Sequence, residues 1–300
     1  MQIQRTVVVG VDGSESALMA VRWAAREAVL RGLLLRLVQA FSWPNVRHFG
    51  DPGLGFDYYE VLVQAAREQV SAAADAAAAA APGVEVEQHV AAGYPILMLD
   101  DESRRAQLLV LGSRGLGGVT GLLLGSVTAA LATHAACPVV VVRGAEPPDA
   151  LTRLPVVVGV DGTPNSEAAL AFAFAAADAR RVPLIAVHTW WESHADPVLD
   201  VVLDWDAIEA DEREVLAERL AGWGEKYPDV AVQRIVARDR PARRLLEQAR
   251  SAQLVVVGSR GRGTLAGLFL GSVSHALLHH APCPVAIVRP EPSTSDGESG

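Results

Sequence analysis

Gly112-Ser113-Arg114-Gly115, separated by nine residues from Gly125-Ser126, recurs as Gly258-Ser259-Arg260-Gly261 and Gly271-Ser272. In each copy an apolar run (108–111 or 254–257) enters the first glycine, and a Ser-led helical segment leaves the last. Glycines let the backbone turn tightly and approach a ligand, and the first turn of a helix offers unpaired N–H groups to an anion. The guest this pattern suits is a phosphate chain. A second pair of motifs, Gly10-Val11-Asp12-Gly13 and Gly159-Val160-Asp161-Gly162, closes the first apolar run of each half. The carboxylates of Asp12 and Asp161 could accept hydrogen bonds from ribose hydroxyls or help hold a metal ion. Either motif alone reads equally well as a strand followed by a turn. Their joint, ordered occurrence in duplicate is the specific signal.

The elements that must position these residues follow from the same repeat. Val7 matches Val156 at an offset of 149, and Ala106 matches Ala252 at an offset of 146. The chain is therefore two homologous units with a small length change in the loop after the second strand. Short β-branched runs alternate with longer helical stretches, the pattern of βαβ units on a parallel sheet. Strands are expected at 6–11, 33–40, 84–90, 108–111 and 139–142, then at 156–161, 184–189, 230–237, 254–257 and 285–288. Helices are expected at 16–30, 58–80, 95–103 and 127–135, with Pro82-Gly83 stopping the alanine run of the second. In the second unit Thr163 before Pro164 reads as an N-cap, and 204–227 as the second helix. Each unit is thus an α/β, Rossmann-like domain with an open five-stranded parallel sheet of order 3-2-1-4-5 and helices on both faces. In that order the tips of strands one and four are neighbours, so one crevice collects both motifs at the switch point. The expected organisation is a first nucleotide-binding domain at 1–143, a Pro-rich linker at 144–154, a second domain at 155–289 and a disordered tail at 290–300.

Composition removes several classes of function. A net charge of −9 argues against a general grip on nucleic acid or on an anionic membrane surface, although a local anion site is compatible with it. No segment is apolar and long enough to span a bilayer, and Met1 to Thr6 lead straight into Val7-Val8-Val9, so a cytoplasmic location is expected. Cys137 and Cys283 occupy matching places before the last strands, where they read as small buried hydrophobes. Lys226 is the sole lysine among 300 residues. Consequently neither cradle ends in the Gly-Lys-Ser/Thr of P-loop enzymes, and the dinucleotide fingerprint G-x-G-x-x-G is missing after the first strand. Arg114 and Arg260 bring positive charge to the loops, with solvation or carboxylate pairing as the alternative to phosphate contact. His275 and His279 have a metal-binding spacing without an evident third ligand, while His134 and His280 suit helix C-termini. Trp43, Trp190 and Trp191 follow the second strands as lid or core residues. No Ser-His-Asp or Cys-His order stands out.

These motifs resemble the universal stress protein family, whose ATP-binding members carry G-2x-G-9x-G-(S/T). The resemblance covers nearly the whole chain apart from linker and tail, in a tandem form similar to that of actinobacteria and mycobacteria. It implies ATP with Mg²⁺ at two sites. In the first unit it implies Gly10, Asp12 at the ribose, Val38 at adenine, and Gly112, Ser113, Arg114, Gly115, Gly125, Ser126, Val127 and Thr128 around the phosphates. In the second it implies Gly159, Asp161, Val187, Gly258, Ser259, Arg260, Gly261, Gly271, Ser272, Val273 and Ser274. Two departures bear on pocket shape: Gln107-Leu108 and Gln253-Leu254 replace the frequent Asp-Leu, and Asp239-Arg240-Pro241 replaces the Gly-x-Pro that the first unit keeps as Gly93-Tyr94-Pro95. The resemblance further implies pairing of last strands, within the chain or in a homodimer, and an unidentified regulatory partner. Three readings follow: a nucleotide-dependent stress regulator, a slow Mg²⁺-dependent ATPase or nucleotidyl-transfer enzyme, and an interaction module that has lost nucleotide. The missing lysine favours the first over the second, and two intact cradles disfavour the third.

Overall fold

The computed structural model describes residues 5–41, 52–116, 124–143, 153–190, 204–261 and 270–290. Trp43, Trp191, most of the expected linker, the tail beyond Pro290 and the middles of both glycine loops lie outside them. Two compact units divide the chain, Met1–Glu146 and Pro147–Gly300.

In the first unit the elements run β1 (Thr6–Gly10), α1 (Glu15–Arg31), β2 (Leu34–Phe41), α2 (Pro52–Ala80), β3 (Val86–Ala92), α3 (Pro95–Ser103), β4 (Leu108–Gly112), α4 (Ser126–His134) and β5 (Val139–Val142). The strands pair in parallel in the order β3-β2-β1-β4-β5, the expected 3-2-1-4-5. Helices α1 and α2 pack together, as do α3 and α4. Sandwiched between helices, the central strands are buried on both sides, which is why they read as unbroken Val/Leu runs rather than alternating ones. The inner stripe of α1 is small: Ala17, Ala20, Val21, Ala24, Ala25 and Ala28 are buried. Alanines let the helix axis come close to the sheet. Ser14 caps its start by accepting from Ala17 N at 3.1 Å, and Gly32 ends it in the left-handed region at φ 62°. At the edge, Arg36 of β2 pairs with Glu87 of β3 and lies 3.0 Å from Glu102 of α3, tying the outer strand down.

The second unit repeats the plan: β6 (Val156–Val160), α5 (Pro164–Arg180), β7 (Leu184–Thr189), α6 (Trp205–Lys226), β8 (Val232–Ala237), α7 (Pro241–Ala249), β9 (Leu254–Gly258), α8 (Ser272–His280) and β10 (Val285–Val288). Its strands follow the order β8-β7-β6-β9-β10, again parallel. Fully buried Phe174 of α5 stacks on Trp223 and Tyr227, each at 5.7 Å, and so anchors the long α6.

Boundaries differ from expectation where local turns win over apolar pattern. Val84 N donates to Ala81 O at 3.1 Å, so the chain is still turning there and β3 starts at Val86. Helix α2 begins at Pro52, six residues before the aromatic and acidic stretch that the pattern favours. At Thr163 the backbone is in cap position, but its hydroxyl makes no cap bond and turns back to Asp161 instead.

Candidate functional site

Asp12 sits just past the tip of β1, because Val11 N still donates to Val38 O at 2.9 Å and Gly13 then turns the chain at φ 82°. One carboxylate oxygen, Oδ1, accepts from Ser14 N at 3.0 Å; the other, Oδ2, accepts from Leu116 N at 2.9 Å. The carboxylate therefore bridges the β1 turn and the loop that follows β4. A Cβ on Gly115 would collide with Asp12 Oδ2, so this glycine is required for the aspartate to reach across. Gly125 N donates to Ser113 O at 2.8 Å and closes the far end of the described loop.

Helix α4 starts here with glycine as its N-cap and no side-chain cap bond. Its first-turn N–H groups, at Ser126, Val127 and Thr128, are thus left for an anion. Ser126 is exposed and Val127 half-buried. The Thr128 hydroxyl points the other way, donating to Gly112 O at 2.8 Å, and pins the helix to the strand. Gly112 serves packing: a Cβ there would stand 2.7 Å from the backbone C and O of Ser16 in α1. Gly10 does likewise under α3, where a Cβ would meet Leu99 and Leu111 at 3.0 Å. Ser16 Oγ accepts from Arg114 N at 3.3 Å and lies 3.5 Å from Ser113 Oγ. The Arg114 side chain is exposed, and together with burial its charge lowers the pKa of half-buried Arg143, burial being the larger cause.

The second unit builds the same site with altered details. Asp161 Oδ1 accepts from Thr163 N at 3.0 Å and from Thr163 Oγ1 at 2.7 Å. A Cβ on Gly261 would stand 2.7 Å from Asp161 Oδ2, repeating the aspartate–glycine approach. Gly271 N donates to Ser259 O at 2.9 Å, and α8 likewise begins on a glycine N-cap without a side-chain bond, at Ser272 and Val273. Ser274 Oγ donates to Gly258 O at 2.7 Å, the counterpart of Thr128. Gly159 packs under Leu245 of α7 and Val257 of β9, at 3.1 and 3.2 Å from a Cβ on it. Arg260 is exposed.

Val38 and Val187 are only 1% and 2% exposed, so both side chains belong to the core below the crevice. The residues after them carry polar groups that the sequence reading did not single out. Buried Gln39 bonds through Nε2 to Gln69 of α2, and Gln69 lies against Gly13. In the same place of the second unit, buried His188 has Nδ1 2.8 Å from Val160 O and Nε2 2.7 Å from Glu212 of α6. Ser16 and Asn165 were also missed. Their signal is positional: each stands four residues beyond the aspartate, in the first turn of the following helix.

Residues outside the crevice take structural places. His134 Nδ1 lies 3.0 Å from Ala130 O at the end of α4, and the His275 and His279 rings are 4.3 Å apart. Among the described residues no group of three His, Cys, Asp or Glu side chains could hold a metal ion. Trp190 stacks on Trp205 at 5.8 Å, and Arg238 covers the Trp205 ring at 3.6 Å. Cys137 and Cys283 are buried thiols outside any disulfide, and burial pushes the Cys283 thiol up to about 12. No helix among the described residues is long and apolar enough to cross a membrane.

Comparison with known proteins places this arrangement. The universal stress protein family model matches residues 4–143 and again 153–289. A universal stress protein of Mycobacterium tuberculosis strain H37Rv is 43% identical over 295 residues, covering 94% of this chain and 96% of its own. One of Mycobacterium bovis is 42% identical over 298 residues, covering 95% and 97%. Among solved structures, a universal stress protein from Archaeoglobus fulgidus aligns with a TM-score of 0.70 at 20% identity, over 96% of this chain and 99% of that one, a likeness of fold.

Proposed function

We propose that this chain, which belongs to the universal stress protein family through both of its units, is a regulator that binds adenine nucleotide, holding one ATP with Mg²⁺ per unit. The observation that carries this reading is the pair of helix N-termini, at α4 and α8, that start on glycine without a side-chain cap. Helices α1 and α6 are capped by Ser14 and Asp204; α3, α5 and α7 also lack a side-chain cap bond but start with proline in the first turn, so what sets α4 and α8 apart is a glycine N-cap at the end of the glycine loop. A helix start left uncapped behind a Gly-x-x-Gly turn, facing an aspartate across the switch point, is what a ribose and its phosphates need.

In the first unit the N–H groups of Ser126, Val127 and Thr128, with the Gly112–Gly115 backbone and the Arg114 charge, would hold phosphates, while Asp12 would hold the ribose. Asp12 is already bonded to Leu116 N, so binding exchanges that bond for ribose hydroxyls and frees the loop to re-form around the phosphates. This exchange is the coupling step: occupancy shifts the loop population, and a partner that reads the loop senses the nucleotide. Asp161, Gly258, Gly261, Ser272, Val273 and Ser274 would do the same in the second unit. Val38 and Val187 would floor the adenine end from below. When bound, Mg²⁺ neutralises phosphate charge. Holding is favoured over turnover because neither cradle has the lysine that P-loop enzymes place on the phosphates. Nucleotide extracted from purified protein tests the reading. An adenine nucleotide in the extract supports it, whereas an empty extract together with no thermal shift on adding ATP and Mg²⁺ rejects it. Rapid multiple-turnover release of phosphate would support the enzyme alternative.

A further inference from the structure

The two cradles are not equivalent, and the difference lies in the first turn of α1 and α5. In the first unit Ser16 Oγ takes Arg114 N at 3.3 Å and sits 3.5 Å from Ser113 Oγ, so the loop's own polar groups are satisfied internally. In the second unit the corresponding residues are Asn165 and Ser259. Ser259 is only 3% exposed, and its Oγ has no hydrogen-bond partner; Asn165 is half-buried as a residue, but its Oδ1 is covered and also unpartnered. Asn165 packs against Gly258, the residue before Ser259, since a Cβ on Gly258 would lie 2.9 Å from Asn165 Cβ and 3.0 Å from its carbonyl oxygen. The Ser259 main chain is fully engaged: its N–H donates to Val288 O at 2.8 Å and its carbonyl accepts from Gly271 N at 2.9 Å. That fixes the Ser259 backbone between β10 and the N-cap of α8. Two buried orphaned polar atoms together cost folding free energy and call for a guest that satisfies both.

We infer that Asn165 and Ser259 form an additional phosphoryl-binding subsite in the second unit, one that the first unit has closed with Ser16 and Ser113. The Ser259 hydroxyl donates to a phosphoryl oxygen directly. The carboxamide of Asn165 does so after a half-turn that exchanges Oδ1 for the Nδ2 donor. The subsite rests on the nucleotide reading above and refines it: the second unit should hold polyphosphate nucleotides more tightly than the first. It also assigns a role to Asn165, which lies outside the glycine motif.

The test is calorimetric titration of the full chain with ATP and, separately, AMP, each with Mg²⁺, for the wild type and for Asn165→Ala, Ser259→Ala and Asn165→Ser. The last variant imports the residue that the first unit carries and guards against misfolding, which thermal melting checks. The expected result is two unequal ATP sites in the wild type, with the tighter one weakened on the order of tenfold by each substitution and the other unchanged. AMP affinity should change less than twofold. The inference is overturned if ATP binds the wild type but the variants leave both affinities within twofold, the result expected if only a buried water satisfies these atoms. A loss that is equal for AMP and ATP overturns it too, since the pair would then not be reading the outer phosphates. Absence of ATP binding by the wild type itself would instead reject the nucleotide reading.

Discussion

Alanine at Gly112 should loosen the first unit at the seam that aligns its two motifs. The new Cβ would lie 2.6 Å from Ser16 Oγ and 2.7 Å from Ser16 C and O, where ordinary contact begins at 3.4 Å. Helix α1 must therefore back off β4 by about 0.7 Å, and backbone atoms cannot rotate away as a flexible side chain could. Overpacking of this kind costs roughly 1–3 kcal/mol, from which about 0.4–1 kcal/mol returns because alanine restricts the unfolded chain. A net loss of ~1–2 kcal/mol follows. Gly258→Ala meets Asn165 at 2.9–3.1 Å and should cost less, ~0.5–1 kcal/mol on the same reasoning. Gly125→Ala finds its nearest neighbour, Arg114 Cα, at 3.5 Å; the roughly 0.5–1 kcal/mol by which glycine exceeds alanine as an N-cap is about offset by the restriction alanine places on the unfolded chain, so its net loss should be the smallest. Urea unfolding of the three variants reads this order. Because α1 also carries the Ser14 turn that orients Asp12, Gly112→Ala should weaken ATP binding together with stability. Wild-type stability for Gly112→Ala, or a larger loss for Gly125→Ala, would refute the assignment of Gly112 to helix packing.

Other consequences are equally direct. Arg181 ends α5 in the left-handed region at φ 54°, where Gly32 ends α1; Arg181→Gly should raise stability by roughly 0.5–1 kcal/mol in thermal melts, and a lowered Tm would contradict this. Burial holds the Cys283 thiol near 12 against an ordinary 9.0, so the unfolded chain loses this proton first as pH rises. The stability it contributes is complete below pH 9 and declines between 9 and 12, by at most ~1.4 kcal/mol per pH unit. Cys283→Ala should flatten that slope in urea titrations, and native Cys283 should resist thiol reagents at pH 8. His188→Ala removes a buried ring bonded to Val160 O and Glu212 and should cost ~2–4 kcal/mol. His188→Gln with Glu212→Gln installs the amide pair that the first unit uses and should recover part of that loss; no recovery would show that the two pairs do different jobs.

Much of the architecture was legible because it is written in long-range repetition. Apolar Val/Leu runs buried on both faces, glycine-tipped strand ends and matched offsets led to the parallel order 3-2-1-4-5 in each unit, and the family resemblance agreed with it. What the sequence hid are choices between partners of the same group. Gly112 and Gly125 look alike in the motif, yet one clears α1 and the other starts α4. Thr128 and Ser274 match a phosphate-binding pattern, while their hydroxyls donate to the strand carbonyls of Gly112 and Gly258. Thr163 has cap chemistry and cap backbone but spends its hydroxyl on Asp161, a nearer and charged acceptor. Gln39–Gln69 and His188–Glu212 join residues distant in sequence and of different types in the two units, so no repeat signal marked them.

The central claim is that each unit holds one adenine nucleotide between its aspartate and its uncapped helix start. Equilibrium titration of the full chain with ATP and Mg²⁺ tests it most directly, in the wild type and in Asp12→Ala, Asp161→Ala and the double variant. The account predicts two ATP per chain, one in either single variant and none in the double variant at the same concentrations. Undiminished binding by a folded double variant, or no binding by the wild type, would contradict it.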